Sequence, residues 1–482
     1  MSSARKSFGC TTMKPRRAAP LLLVLSGLTF CACSTPPSEQ AADSDSDSGP
    51  VLAPSAEPTA SSEGGAPDAH PNEAGSADSS LGLPQVRFET ATIHRAHRAI
   101  PNVMFGGWGP HLGHLVQHRT SSGDETWFVD DSCEVGKCDV NRNTRLDYFK
   151  LGTAGFQKVA SVALPAGVQQ NTATIVVGGE AHSYGVDVAS ARLVECKQSL
   201  LVRGPPGSCT AILPPLEAGS NYVGAAISPK GVRVAWLTHV VDGGGGAFSF
   251  FVDYSGGWNG PRRGGIGGFN DVSYINVAFG RNGSDDAFSM HGQLVGGLGP
   301  NWSFFGATGT GDLSSATPVS WATDLAGPSA PPDPVVSTND VAIDPVTFDE
   351  HIVARSRSGA AAYYFRARGQ SAPSQVRLFP KSYRARLVFL ADGALALVRS
   401  DDGNGLVVQL ANTSVRAKGR PVEWGLLPEY RPMLPPGYEN IYAIYPATSV
   451  YQRFSPRSVE VALVGRAREN EVLYVEMTTA NR

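Results

Sequence analysis

Two sets of residues in this chain are of types that do chemistry. The first lies in DDSCEVGKCDVNRNTRLDYF, residues 130–149. Asp139, Asn141, Asn143 and Asp147 occupy positions 1, 3, 5 and 9 of an oxygen-rich series, with the Arg145 carbonyl at position 7. Short oxygen donors at alternating positions can wrap a hard cation, which makes the series a candidate structural calcium loop. Thr144 stands where a sharp-turn glycine is expected, and no late Glu supplies a bidentate ligand. The competing reading is a polar hairpin leading into the strand RLDYFKL. On either reading the stretch lacks a nucleophile beside a base, so it is a stabilised corner and not a catalytic centre.

The second set is built on histidine. His114 and His118 stand four residues apart in HLGHLVQHR and share one face if the segment is a strand. His182, His239, His291 and His351 each fall near the second strand of a different repeated unit. Among ten histidines such recurrence arises readily without a shared metal. A narrower constellation joins His114 and His182 with Tyr184 and Arg119. Uronate-containing polysaccharides are split by β-elimination when a His or Tyr base removes the C5 proton. An Arg beside it stabilises the carboxylate and its developing charge. Asp130, Asp131, Glu180 and Asp187 are candidates for the carboxylate pair of a hydrolase, but a strand period does not set their separation. Trp108, Trp127, Trp258, Trp302 and Trp321 can stack on sugar rings or fill space between sheets. The runs GGGGAF and GGWNGPRRGGIGG lack the Gly-Lys-Ser/Thr ending of a phosphate loop and read as rim loops. Arg262 and Arg263 in the second run can reach an anionic group or simply be solvated.

The elements that must position these residues are strands. The 54 glycines and 35 prolines punctuate short apolar runs, and no long window carries a helical period. A weak repeat begins near 223, 275, 340 and 385, with divergent copies at 113–131, 172–188 and 438–477. Each copy reads strand, turn, strand, turn, strand. Such a unit has two faces to bury and cannot do so alone, and radial stacking of about seven units is the economical solution. The expected fold class is all-β, a single seven-bladed β-propeller, with VRFETATI (86–93) as the outer strand of the last blade. A pair of β-sandwiches is the competitor, with SAPPDPVVS (329–337) as its linker.

The overall pattern resembles the broad sialidase-like group of repeat propellers over about 95–480. Its Asp-box is not intact: SSGDETW at 121–127 keeps the Trp but lacks the spacing, so no catalytic residue carries over. The oxygen series at 139–147 resembles calcium loops of extracellular propellers and dockerin-like repeats. Seven-bladed propellers also include polysaccharide lyases that use His, Tyr and Arg, an analogy that assigns no site.

The chain begins with Arg5, Lys6, Lys14, Arg16 and Arg17 ahead of the apolar run PLLLVLSGLTF, an export-signal pattern too short to span a bilayer. The leader (1–33) ends CAC and resembles a bacterial lipoprotein signal, which implies lipid on Cys33. Ala32 fits that pattern, Phe30 and Cys31 depart from it, and cleavage without a lipid is the alternative. Ser34 in the next position resembles cargo for the outer membrane of a Gram-negative cell. Residues 34–84 hold nine acidic residues and no Lys or Arg, the composition of a solvated tether, and 85–482 form the expected propeller domain. Removing the 5 basic and 9 acidic residues of 1–84 from totals of 40 and 43 leaves 35 and 34. That near-neutral remainder gives no support to a nucleic-acid partner. Four cysteines remain beyond the leader, and in an exported chain the simplest of three pairings is Cys133 with Cys138 and Cys196 with Cys209.

These readings lead to an exported, lipid-anchored propeller that binds a polysaccharide or envelope protein. The alternative is a lyase acting on uronate-containing glycan, with His114, His182, Tyr184 and Arg119 as its catalytic residues. Asp139, Asn141, Asn143 and Asp147 are the candidate calcium ligands on either reading.

Overall fold

The computed structural model describes residues 87–97, 114–132 and 144–168, and most of 172–480 with short interruptions. All described residues belong to one compact unit, Asp78–Arg482. Every regular element among them is a β-strand.

The first strand, β1 (Arg87–His97), belongs to the last sheet. Sheet I comprises β2 (Leu115–Thr120), β3 (Gly123–Ser132), β4 (Arg145–Gly152) and β5 (Gly155–Ala163). Sheet II comprises β6 (Ala173–Val177), β7 (Glu180–Asp187), β8 (Arg192–Ser199) and β9 (Ser208–Ile212). Sheet III comprises β10 (Asn221–Ile227), β11 (Arg233–Val241), β12 (Gly245–Tyr254) and β13 (Gly257–Ile266). Sheet IV comprises β14 (Asp271–Phe279), β15 (Phe288–Val295), β16 (Ser303–Thr310) and β17 (Ser320–Asp324). Sheet V comprises β18 (Val335–Ile343), β19 (Glu350–Ser356), β20 (Ala361–Arg366) and β21 (Ser374–Phe379). Sheet VI has three strands, β22 (Ala385–Phe389), β23 (Leu395–Asp401) and β24 (Gly405–Leu410). Sheet VII joins β25 (Ile441–Pro446), β26 (Ser458–Gly465) and β27 (Arg468–Ala480) to β1, in the order β1-β27-β26-β25.

The sequence expectation for 86–93 is met: β1 pairs antiparallel with β27, from Arg87 opposite Ala480 to His97 opposite Glu471. All the sheets are antiparallel, and the result is an all-β architecture broadly consistent with a propeller- or solenoid-type arrangement. Strand position explains burial. β20, β23 and β24 are buried at every position, because sheets cover both of their faces. The outer strands β5 and β21 are mostly exposed to solvent, each with three consecutive exposed residues.

Apolar faces pack sheet against sheet. Val116, Trp127 and Val129 of sheet I meet Ala181, Val194 and Cys196 of sheet II. Tyr184, Val186 and Leu193 of sheet II meet Val223, Ala235 and Leu237 of sheet III. Strand β14 touches both β11 and β18, linking sheets III, IV and V. Val353, Tyr363 and Phe365 meet Leu387 and Leu397 between sheets V and VI. Val398 and Leu406 meet Ile444 and Val461 between sheets VI and VII. Tyr445, Ala462 and Tyr474 of sheet VII meet Leu115 and Phe128 of sheet I. Fully burying one such side chain is worth about 1.5–3 kcal/mol, so these contacts dominate the fold.

Buried carboxylates tie neighbouring sheets through backbone donors. Asp131 accepts from the Thr172 amide (3.2 Å) and hydroxyl (2.5 Å) at the start of sheet II. Asp340 of β18 accepts from the Leu387 amide of β22 at 2.9 Å. Among the described residues sheet VI has no fourth strand, and there Tyr430 exchanges two backbone hydrogen bonds with Val408 of β24, at 2.8 and 2.9 Å.

Cys196 and Cys209 form a disulfide between directly opposed residues of β8 and β9, as expected from the sequence. Cys133 and Cys138 lie outside the described residues.

Candidate functional site

The polar site lies between sheets II and III. Successive residues of a strand point to opposite faces, so His182 and Tyr184 of β7 share one face. Glu195 of β8 is directly opposite Tyr184, which brings a third polar side chain to that face. Ser183, between them, turns the other way and meets the Tyr148 hydroxyl of sheet I at 3.2 Å. Sheet III contributes a second row. Arg233 of β11 is opposite Asp253 of β12, and Asp253 is opposite Trp258 of β13. Arg233, Asp253 and Trp258 sit beside the β10–β11 and β12–β13 hairpin turns and His182 lies two residues from the start of β7, whereas Tyr184 and Glu195 are mid-strand.

Glu195 Oε1 is the hub. It accepts from the Tyr184 hydroxyl at 3.1 Å and from Arg233 at 2.6 Å, and His182 Nδ1 lies 2.9 Å away. Arg233 also stands 2.7 Å from His182 Nδ1. The guanidinium has only protons to offer and the carboxylate only lone pairs. Nδ1 therefore either donates to Glu195, leaving Nε2 as a base, or accepts from Arg233, leaving Nε2 protonated. Nε2 faces Glu180 at 3.7 Å, while Lys197 stands 3.8 Å from the second Glu195 oxygen. The other side of the Arg233 fork holds Asp253: Nε donates to Oδ2 at 2.7 Å and Nη2 donates to the same oxygen. Trp258 closes the group, 5.5 Å from both the guanidinium and the Tyr184 ring.

Burial pushes the Glu195 carboxyl up, but the His182 hydrogen bond and the charge of Arg233 outweigh it and hold the group at about 2. Burial, followed by the charge of Glu195, pushes the Tyr184 phenol well above its ordinary range. A buried phenol that donates to a carboxylate is suited to holding Glu195 in place. Within the hydrogen-bonded group Arg233 is 17% exposed and Asp253 10%, while Glu180 and Lys197 on its flanks are more exposed.

Of the expected catalytic residues, the structure brings together His182 and Tyr184. His114 engages other partners: its Nδ1 donates to the Val129 carbonyl at 2.7 Å, and Nε2 stands 3.9 Å from Asp131. Arg119, 72% exposed, pairs with Asp124 across the β2–β3 turn at 3.1 Å. His118 is buried beside Glu125 and against the β6–β7 turn, where a Cβ on Gly179 (φ +84°) would come 3.3 Å from its Nε2. Of the calcium series only Asp147 is described. Its Oδ1 is occupied by Ser161 (2.6 Å), Lys158 (2.8 Å) and Arg145 (3.2 Å). Asp139, Asn141 and Asn143 lie outside the described residues. Among the described residues no cluster of three His, Cys, Asp or Glu side chains is arranged to hold a metal.

Sequence reasoning did not select Glu195, Arg233 or Asp253 for the site. The signal for Glu195 was present: in RLVECKQS it shares a face with Leu193, so a carboxylate occupies an inward strand position. Arg233 and Asp253 needed the neighbouring sheet.

No family model matches the chain, and no curated protein matches it. Solved structures do. The polysaccharide lyase Uly1 is similar at 10% identity and TM-score 0.51, over 81% of this chain and 99% of that one. An ulvan lyase of family PL25, bound to -[GlcA(1-4)Rha3S]-, aligns at 7% identity and TM-score 0.49, covering 81% and 98%. A protein of unknown function from Dyadobacter fermentans aligns at 12% identity and TM-score 0.44, covering 83% and 100%. At such identities the likeness is one of fold alone, all-β and propeller- or solenoid-like, and it is not specific to the sialidase-like group. Among the described residues no helix is long and apolar enough to cross a membrane.

Proposed function

We propose that the seven sheets close into one β-propeller that acts on acidic polysaccharide as a β-eliminating lyase. Closure is supported by β1 completing sheet VII and by sheet VII packing on sheet I. The observation that carries the activity is the contact of His182 with Glu195 and Arg233. With Nδ1 donating to Glu195, His182 Nε2 is the base that takes the C5 proton of a uronate. The electron pair left at C5 forms the C4–C5 double bond. The C4–O4 bond breaks, and the departing oxygen takes a proton from the imidazolium or from water. Arg233 offsets the uronate charge and so acidifies C5, while Tyr184 positions Glu195. The fold shared with the lyase Uly1 accommodates this reading without assigning it.

The Cys196–Cys209 disulfide supports an oxidising compartment outside the cytoplasm. Export by the 1–33 leader, lipid on Cys33, the 34–84 tether and a glycan partner at the cell envelope complete the proposal. The second reading, a module that only binds glycan or protein, is favoured by one observation: Glu195 and Asp253 already occupy Arg233.

Product analysis separates the two readings. A lyase shortens a uronate polymer and leaves unsaturated ends, and His182→Ala removes that activity while the thermal midpoint stays near wild type. Retention of polymer by the intact protein with no shortening would establish the binding module instead.

A further inference from the structure

We infer that Asp253 is a built-in stand-in for the substrate carboxylate, which a uronate must displace from Arg233 to reach the site. The inference rests on the lyase reading and adds to it the step by which anionic substrate is admitted.

The geometry of the Arg233 fork is the argument. One side, Nη1, is committed inward to Glu195 and His182. The other side, Nε and Nη2, is the edge that recognises a carboxylate in parallel, with one oxygen for each nitrogen. Asp253 does not use it that way: both nitrogens converge on Oδ2 alone. A free carboxylate can place one oxygen on each donor, and so makes the better-matched pair. Asp253 is also among the cluster's more accessible members, near the β12–β13 turn. Once displaced it has water within reach, whereas a displaced Glu195 would stay buried.

The neighbours fit an exchange at this place. Trp258 packs 5.5 Å from the guanidinium and is itself only partly buried. It holds Arg233 in plane with or without Asp253 and offers its remaining face to a sugar ring. Lys197, on the other flank of Glu195, is 43% exposed and supplies a second cation 3.8 Å from that carboxylate.

The test is a calorimetric titration of the full chain with glucuronate, comparing wild type with Asp253→Asn. The amide keeps the shape of Asp253 and removes the competing charge. Losing one charge-assisted competitor should tighten glucuronate binding about tenfold. Glucuronate methyl ester, which lacks the charge, should show no such gain. On polymer the variant should lower KM, a change that general loosening of the fold would not give. Unchanged or weaker glucuronate binding by a variant with wild-type melting overturns the inference, as does equal gain with the ester. The two levels fail separately. Tighter binding with no double-bond formation sinks the lyase chemistry and leaves the displacement. Turnover without tighter binding does the reverse.

Discussion

Two carboxylates sit between sheets of this molecule, and their surroundings drive them in opposite directions. Glu195, between sheets II and III, faces a guanidinium and an imidazole and is held at about 2. Glu460 of β26 lies where sheet VII meets sheet I and receives only neutral donors. Gln117 donates to it at 2.8 Å, the Tyr474 hydroxyl at 2.9 Å and the Thr126 hydroxyl at 3.1 Å. Burial pushes Glu460 above its ordinary value, and the charge of Glu476, directly opposite on β27, adds to the push. Each carboxylate is well supplied with hydrogen bonds. The His182 hydrogen bond and the Arg233 charge therefore hold one inter-sheet carboxylate low, while neutral donors leave the other raised. Both contacts join sheets, but only the one containing Arg233 assembles a base, a carboxylate and a cation near solvent.

The sharpest way to break this contrast is to remove the cation. Arg233→Met leaves Glu195 buried without its main counter-charge, and removing one partner of a buried pair costs about 3 kcal/mol or more. Denaturant midpoints should show that loss, and Glu195→Gln in the same chain should recover much of it. A smaller effect is expected from replacing Cys196 and Cys209 together by serine. The loop they close spans 13 residues, and its loss should cost about 2–3 kcal/mol in denaturant unfolding under oxidising conditions.

Acid separates the two carboxylates by sign. Glu195 is held below its ordinary 4.5, so its stabilisation is complete above that value and drains away as the pH falls toward about 2. Glu195→Gln should flatten that acid limb in a melting series. Glu460 runs the other way, because its folded form holds the proton longer than the unfolded chain does. Its contribution is full below the ordinary glutamate value and declines as the pH rises through the raised one. Glu460→Gln should remove this decline, the smallest of the effects, and a wild-type slope in that variant would count against the assignment.

The part of this arrangement legible in the sequence is the part confined to single strands. Strand-turn repeats, the strand β1 that pairs with β27 and the same-face pair His182 and Tyr184 all follow from a period of two. Arg119 is near His114 in the chain, yet it pairs with Asp124 five residues away across a tight turn. Arg233 is 51 residues from His182 and meets it only because sheets II and III pack face to face. Register and sheet order carry that information, and no local pattern contains it. Glu460 makes the same point at greater range, since Gln117 reaches it from 343 residues away.

The central claim is that His182, set by Glu195 and Arg233, performs elimination on an acidic glycan. Its most direct test is the ultraviolet absorbance of a uronate polymer incubated with the intact chain. The account predicts a steady rise from the new double bond, abolished in a folded His182→Ala variant. No rise with any uronate polymer, or an undiminished rise in that variant, would contradict it.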